Sequence, residues 1–147
     1  MKIKVAWIGK TRDAAIQALT EDYLKRISRY AVVEGVAVAD EAALLRLTQR
    51  SGTRPAHTLI LLDGSGRQLS SEEFAGFVKD QQERNPQPLL FAVGPADGFS
   101  DEARKAAAVK ISLGKMTLAH ELARVALLEQ LYRAFAILKG HPYHLGH

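Results

Sequence analysis

Three stretches of the chain carry glycine where an apolar run ends: Asp63-Gly64-Ser65-Gly66, Gly94-Pro95-Ala96-Asp97-Gly98 and Gly114-Lys115-Met116. Glycine at such points permits positive φ and close approach of the backbone to a ligand. A simple turn explains any one of them. Three in succession point to one shared pocket, in which backbone groups read the hydrogen-bonding edges of a ligand. Familiar ligand motifs fail on spacing. No G-x-G-x-x-G follows the first apolar run, which disfavours a standard dinucleotide fold. Gly114-Lys115 resembles the end of a phosphate loop, but Val109 stands where the first glycine belongs and Met116 replaces the magnesium-binding hydroxyl. Gly64-Ser65-Gly66 lacks the spacing of a nucleophile elbow. His141, His144 and His147 recur at every third position, but Pro142 interrupts them and the tail has no carboxylate, so no metal site is expected.

The elements that must hold these loops alternate between strand and helix. Lys2–Ile8 reads as a strand. Ala14–Tyr30 reads as a helix, with Ile16, Leu19, Tyr23, Ile27 and Tyr30 at helical spacing. A valine-rich strand over Ala31–Ala39 follows, then a short helix capped by Asp40 and running through Arg50. His57–Leu62 is an apolar run of strand length, ended by Asp63-Gly64. Ser70-x-x-Glu73 forms a capping box that opens a helix to about Arg84. Leu89–Val93 is a fourth strand, Ser100 caps a helix through Ala107, and Val109–Leu113 is a fifth strand. Thr117 is placed to cap a last helix reaching Lys139, and Gly140–His147 is an irregular tail. This alternation predicts an α/β fold, a mostly parallel sheet covered by helices on both faces. In such sheets ligands bind beyond the carboxyl ends of the strands. The last helix is apolar over more than one stripe, including Leu122, Val125, Leu128, Leu131, Phe135 and Ile137. It is either buried wholly within one chain or covered on its second side by a partner subunit across an isologous interface.

Composition agrees with one domain over 1–147, with 47% hydrophobic and 24% charged residues. There is no cysteine, and the apolar run Val5–Ile8 is too short for a signal peptide or a membrane span. A cytoplasmic protein with no membrane partner is therefore expected. The net charge of +4 is unevenly spread. Residues 1–30 carry seven Lys/Arg against three acids, 31–100 six against nine, and 101–147 seven against four plus four of the five histidines. Basic ends around an acidic middle fit a polyanionic partner, and equally the solvated helix faces of a mildly basic protein.

Several longer segments together resemble the ribosomal RNA large-subunit methyltransferase H family of the SPOUT superfamily. They are Leu61-Leu62-Asp63-Gly64; Leu89 to Gly94 with Asp97-Gly98-Phe99-Ser100; Ile111 to His120, containing Ser112-Leu113-Gly114-Lys115-Met116-Thr117; Glu129 to Ala134, containing Leu131-Tyr132-Arg133; and the ending His141-Pro142-Tyr143-His144. The resemblance spans essentially the whole chain. It implies a SPOUT fold with a deep C-terminal trefoil knot, a homodimer, and S-adenosylmethionine as cofactor. The activity it implies is methylation of N3 of pseudouridine 1915 in 23S ribosomal RNA, on assembled ribosomes. Carried over by position, the cofactor-binding residues are Leu62, Gly94, Leu113, Gly114, Lys115, Met116, Thr117 and Leu118. The chain departs from the family at Pro95, where relatives often have a second glycine. Proline has no N–H to donate, so Gly94 is the expected contact.

Methyl transfer to N3 of a uracil-like ring requires that the ring lose a proton, or that its negative charge be stabilised. Histidine suits the first task and basic groups the second. The expected reacting neighbourhood is His120, Arg133, Tyr143 and His144, with Tyr143 stacking on the base. Against this, His120 could equally pack at a helix end and Arg133 could equally form a dimer salt bridge. Lys10, Arg12, Lys25, Arg26 and Arg29 are expected to contact phosphates. The alternatives are a SPOUT methyltransferase with another RNA target such as transfer RNA, and a non-catalytic ribosome-binding relative, which Pro95 would favour. A flavodoxin-like nucleotide-binding protein is a third, for which Gly9-Lys10-Thr11 is too slight a phosphate cradle.

Overall fold

The computed structural model describes residues 1–95 and 97–145. Five strands, β1 (Lys2–Ile8), β2 (Val32–Val38), β3 (Thr58–Gln68), β4 (Leu89–Val93) and β5 (Val109–Ser112), form one sheet in the order β2-β1-β4-β3-β5. Every neighbouring pair is parallel. The helices are α1 (Ala14–Ile27), α2 (Glu41–Arg46), α3 (Ser71–Arg84), α4 (Asp101–Ala106) and α5 (His120–Leu138).

The strands sort their side chains with period two. Ile3, Val5, Trp7, Leu89, Phe91 and Val93 join a core with α1, α3 and α5. The intervening Ala6, Leu59, Leu61, Leu90 and Ala92 join a smaller one with Leu44 of α2 and Ala103 of α4. β4 is buried at all five positions, which is why it reads as a continuous apolar run.

The helix starts follow local capping chemistry. Ser70 and Glu73 form the capping box of α3, and Asp40 and Ser100 accept the Ala43 and Ala103 N–H groups. The ends are shorter than periodicity alone predicts. α1 stops at Ile27 because residues 28–30 close into tight turns, with Tyr30 N–H donating to the Ile27 carbonyl at 2.8 Å. α2 stops at Arg46, and Leu47, Thr48 and Gln49 donate three residues back in the same way.

Two expectations need correction. The third strand does not end at Leu62. Leu62 and Arg67 both pair with Ile111, so residues 63–66 make an excursion before pairing resumes to Gln68. Gly66 makes this return possible. A Cβ there would lie 2.6 Å from the Ile111 nitrogen and 2.7 Å from the Lys110 carbonyl oxygen, both backbone atoms. Nor does Thr117 cap the last helix. α5 begins at His120, behind Ala119, which makes no side-chain cap bond, and Thr117 stays in the segment that follows β5.

α5 packs between α1 and α3 over the sheet. Leu127, Leu128, Leu131, Ala134 and Phe135 are at most 3% exposed, and burial of each large side chain stabilises the fold by about 1.5–3 kcal/mol. Most of the apolar surface of α5 is thus covered within the chain. What stays exposed lies at and before its first turns: Met116, Leu118 and Leu122.

Candidate active site

The carboxyl ends of β3, β4 and β5 converge on a cavity of about 480 Å³, within the ~300–1,000 Å³ typical of small-molecule sites. β3 contributes Leu62, Asp63, Gly64 and Gln68, and β4 with its loop contributes Val93, Gly94, Pro95, Gly98 and Phe99. Ser112 and the whole segment Leu113–Leu118 form a third wall, and His120 and Ala123 of α5 close the remaining side. All eight positions expected to contact a cofactor therefore line one cavity, together with His120.

The walls are fixed by short-range bonds. Ser112 Oγ donates to the Gly114 carbonyl at 2.8 Å and accepts the Gly114 N–H at 3.2 Å, which sets the turn out of β5. Pro95, which has no N–H, accepts the Gly98 N–H at 3.0 Å and so shapes the middle loop. Gly94 lies under the buried ring of Phe99, and a Cβ there would come within 2.8 Å of it. The nearly buried Asp63 carboxylate accepts Ser65 Oγ at 2.8 Å and Arg104 Nε at 3.0 Å. Burial alone would raise the Asp63 pKa, but these two donors outweigh it and hold the group below the usual carboxylate range.

Arg133, Tyr143 and His144 form a second cluster, away from the cavity. Arg133 is held by Glu129 one helical turn earlier, through Nε at 2.7 Å and Nη2 at 2.6 Å, and this bond raises its pKa. Arg133 Nη1 donates to His144 Nδ1 at 3.0 Å. Since guanidinium only donates, the His144 proton sits on Nε2, facing Glu72 Oε1 at 2.7 Å. The Arg133 guanidinium lies 4.9 Å from the Tyr143 ring centroid, and Tyr143 meets Tyr132 edge-on at 4.7 Å. Burial, the Tyr23 hydroxyl and Glu129 raise the Tyr143 pKa, so its hydroxyl stays protonated at neutral pH. Tyr143 and His144 are thus docked on α5. The charge partner of Arg133 is Glu129 of its own chain, at a spacing of four legible in Glu129-x-x-x-Arg133.

His120 does not touch that cluster within one chain. His120 and Arg133 lie at different ends of α5. The basic residues divide likewise. Lys25, Arg26 and Arg29 line a groove of about 310 Å³ with Asp22 and Tyr132, beside the tail. Arg26 is paired with Asp22 at 3.2 Å, and that bond raises its pKa. Lys10 and Arg12 are exposed on the segment after β1, where Arg12 N–H donates to Glu121 of α5 at 2.8 Å. Asp63, Gln68, Phe99, Arg104, Ser112 and Glu129 belong to these two sites without having been singled out. Asp63 and Ser112 flank the glycine loops, so position could have flagged them. The Arg104 contact is set by tertiary structure and leaves no local signal.

Among the described residues no group of His, Asp or Glu could hold a metal, and His147 of the histidine pattern lies outside them. Also among the described residues, no helix is long and apolar enough to cross a membrane.

Comparison with known proteins places the chain. The family model described as "Predicted SPOUT methyltransferase" matches residues 1–144. The chain belongs to the SPOUT methyltransferase family. This SPOUT chain is 54% identical, over the full length of both sequences, to a ribosomal RNA large subunit methyltransferase H from Koribacter versatilis. The SPOUT fold is seen again in a probable methylase family protein from Haemophilus influenzae, with a TM-score of 0.59, 11% identity, and coverage of 96% of this chain and 69% of that one. It recurs in the SpoU methyltransferase AviRb from Streptomyces viridochromogenes, whose structure is a complex with the cofactor AdoMet. There the TM-score is 0.54 at 15% identity, covering 90% of this chain and 57% of that one.

Proposed function

We propose that this chain uses S-adenosylmethionine to methylate N3 of a pseudouridine in 23S ribosomal RNA, acting as a homodimer on assembled ribosomes in the cytoplasm. The observation that carries this reading is the cavity at the ends of β3, β4 and β5, walled by Leu62, Gly94 and 113–118, in a chain 54% identical to a large-subunit rRNA methyltransferase. The same reading includes a deep trefoil knot around these strand ends and one catalytic domain over 1–147.

The residues fit an adenosyl cofactor. The cavity is of small-molecule size, Gly94 makes room for the Phe99 ring on its wall, and Leu62, Val93, Phe99 and Leu113 give apolar walls for a base. The cofactor supplies a methyl group activated on a sulfonium. The protein's share is to hold donor and acceptor in line, and orientation of this kind supplies ~7–11 kcal/mol of a barrier. His120, on the cavity wall, takes the N3 proton. Arg133 of the partner subunit stabilises the ring anion, and Tyr143 and His144 of the partner subunit hold the base. The exposed Met116, Leu118 and Leu122 beside the cavity provide apolar surface for that partner. Lys25, Arg26 and Arg29 of the partner subunit, beside its own tail, contact phosphates.

The test is methyl transfer by the purified protein to 70S ribosomes, free 23S RNA and transfer RNA from a strain lacking this gene, with mass mapping of the products. Methyl at N3 of one 23S pseudouridine, on ribosomes only, is expected. Methyl on transfer RNA, or none, overturns the proposal.

A further inference from the structure

The first turn of α5 faces two ways. His120 and Ala123 line the cavity. Glu121 and Arg124, one step around the helix, face the segment that follows β1. Glu121 accepts the Arg12 N–H at 2.8 Å, and Arg124 Nη1 donates to Thr11 Oγ1 at 2.6 Å. The Arg124 guanidinium also lies 4.1 Å from the Trp7 ring centroid. Arg124 is 1% exposed and is the largest of the fully buried side chains.

A buried guanidinium normally faces a carboxylate. Glu121 acts on Arg124 only through space, and burial pulls the Arg124 pKa down. Among the described residues, Arg124 Nε and the Trp7 Nε1 beside it have no hydrogen-bond partner. An incompletely paired buried cation is a poor source of stability, and an apolar residue of similar size often serves the fold as well or better. What Arg124 does fix is position. Its plane rests on Trp7 at the end of β1 and its donor grips Thr11, between the exposed Lys10 and Arg12.

We infer that Arg124 is a positioning residue for the RNA substrate: through Trp7 and Thr11 it holds residues 9–13 against α5, so that Lys10 and Arg12 stand beside the cavity and take RNA phosphates. This rests on the methyltransferase reading, in which RNA approaches that cavity. Neither Arg124 nor residues 9–13 line the cavity, so substituting them is expected to leave cofactor affinity unchanged.

The experiment compares Arg124→Met, Thr11→Val and the pair Lys10→Ala/Arg12→Ala in the full-length protein. Arg124→Met is expected to melt no lower than wild type and to bind S-adenosylmethionine with unchanged Kd. It should exchange the Arg12 amide hydrogen faster, and raise KM for ribosomes about tenfold with little change in kcat. Thr11→Val, which removes only the acceptor, should shift KM the same way if Arg124→Met folds poorly. The Lys10/Arg12 pair should raise KM in wild type but add little to Arg124→Met, since both act through one segment. Unchanged Arg12 exchange in Arg124→Met, or in Thr11→Val if Arg124→Met does not fold, overturns the inference. So does fully additive loss, or a KM within about twofold of wild type. If the wild-type protein transfers no methyl to ribosomes, the function proposal fails, and the exchange measurement still decides whether Arg124 holds the segment.

Discussion

His120 and Arg133 share α5 but stand thirteen positions apart, which puts about 20 Å of helix axis between them and turns them to different faces. One lines the cavity and the other anchors the docked tail. If both serve one reaction, two chains must bring them together. A two-fold axis does this twice, setting each cavity against the tail of the other protomer.

Tyr143→Ala is the simplest test of the tail. Tyr143 packs on Tyr132 and under Arg133, and lies outside the cavity. The substitution should abolish RNA methylation while calorimetry finds S-adenosylmethionine binding intact. Methylation at the wild-type rate would remove the tail from the site.

Gly66 and Gly64 lie two residues apart and should respond oppositely to alanine. At Gly66 the added Cβ meets the backbone of Lys110 and Ile111 within 2.7 Å, whereas at Gly64 it meets nothing within 4 Å. Backbone cannot step aside as a side chain does, so Gly66→Ala should cost about 3 kcal/mol or more. Gly64→Ala should stay within about 0.5 kcal/mol. Urea unfolding of both variants measures this.

Gly94→Ala tests the cavity wall. Its Cβ would press on the far edge of the Phe99 ring, which lines the cavity and can tilt. Stability should fall modestly, by about 1–2 kcal/mol, while Kd for S-adenosylmethionine rises about tenfold or more. An unchanged Kd would separate Gly94 from the cofactor.

Much of this fold was legible because local rules and tertiary packing agree. β4 is five apolar residues between breakers and is buried throughout. The Ser70–Glu73 box opens α3 where expected. The glycine loops marked the cavity because they follow the strand segments that wall it. The continuation of β3 was not legible, since Arg67 and Gln68 carry no strand pattern and pair only because β5 waits for them. The separation of His120 from Arg133 follows from helix arithmetic, but the docking of Tyr143 onto Tyr132 and Tyr23 depends on packing that spacing does not reveal.

Asp63 gives the pH dependence. Its folded pKa lies below the ordinary value of about 3.9, because Ser65 and Arg104 outweigh burial. The contribution to stability is therefore complete above that value and is lost as pH falls through the depressed one. Arg104 is partly exposed, so the pair stabilises by about 1 kcal/mol at most. Asp63→Asn should be less stable than wild type at pH 7, and in urea unfolding the gap should narrow as pH falls below the ordinary carboxylate value of about 3.9. A constant gap would contradict the pairing.

The most direct test of the shared site uses mixed dimers. Gly94→Val, which displaces Phe99 from the cavity wall, disables the cleft, and Tyr143→Ala disables the tail; each homodimer should be inactive on ribosomes. Co-expressed with different tags and purified as the heterodimer, the two should recover about half of wild-type activity, because one cleft then meets one intact tail across the two-fold axis. A heterodimer as inactive as its parents would show that cleft and tail must lie in the same chain, and the account would fail.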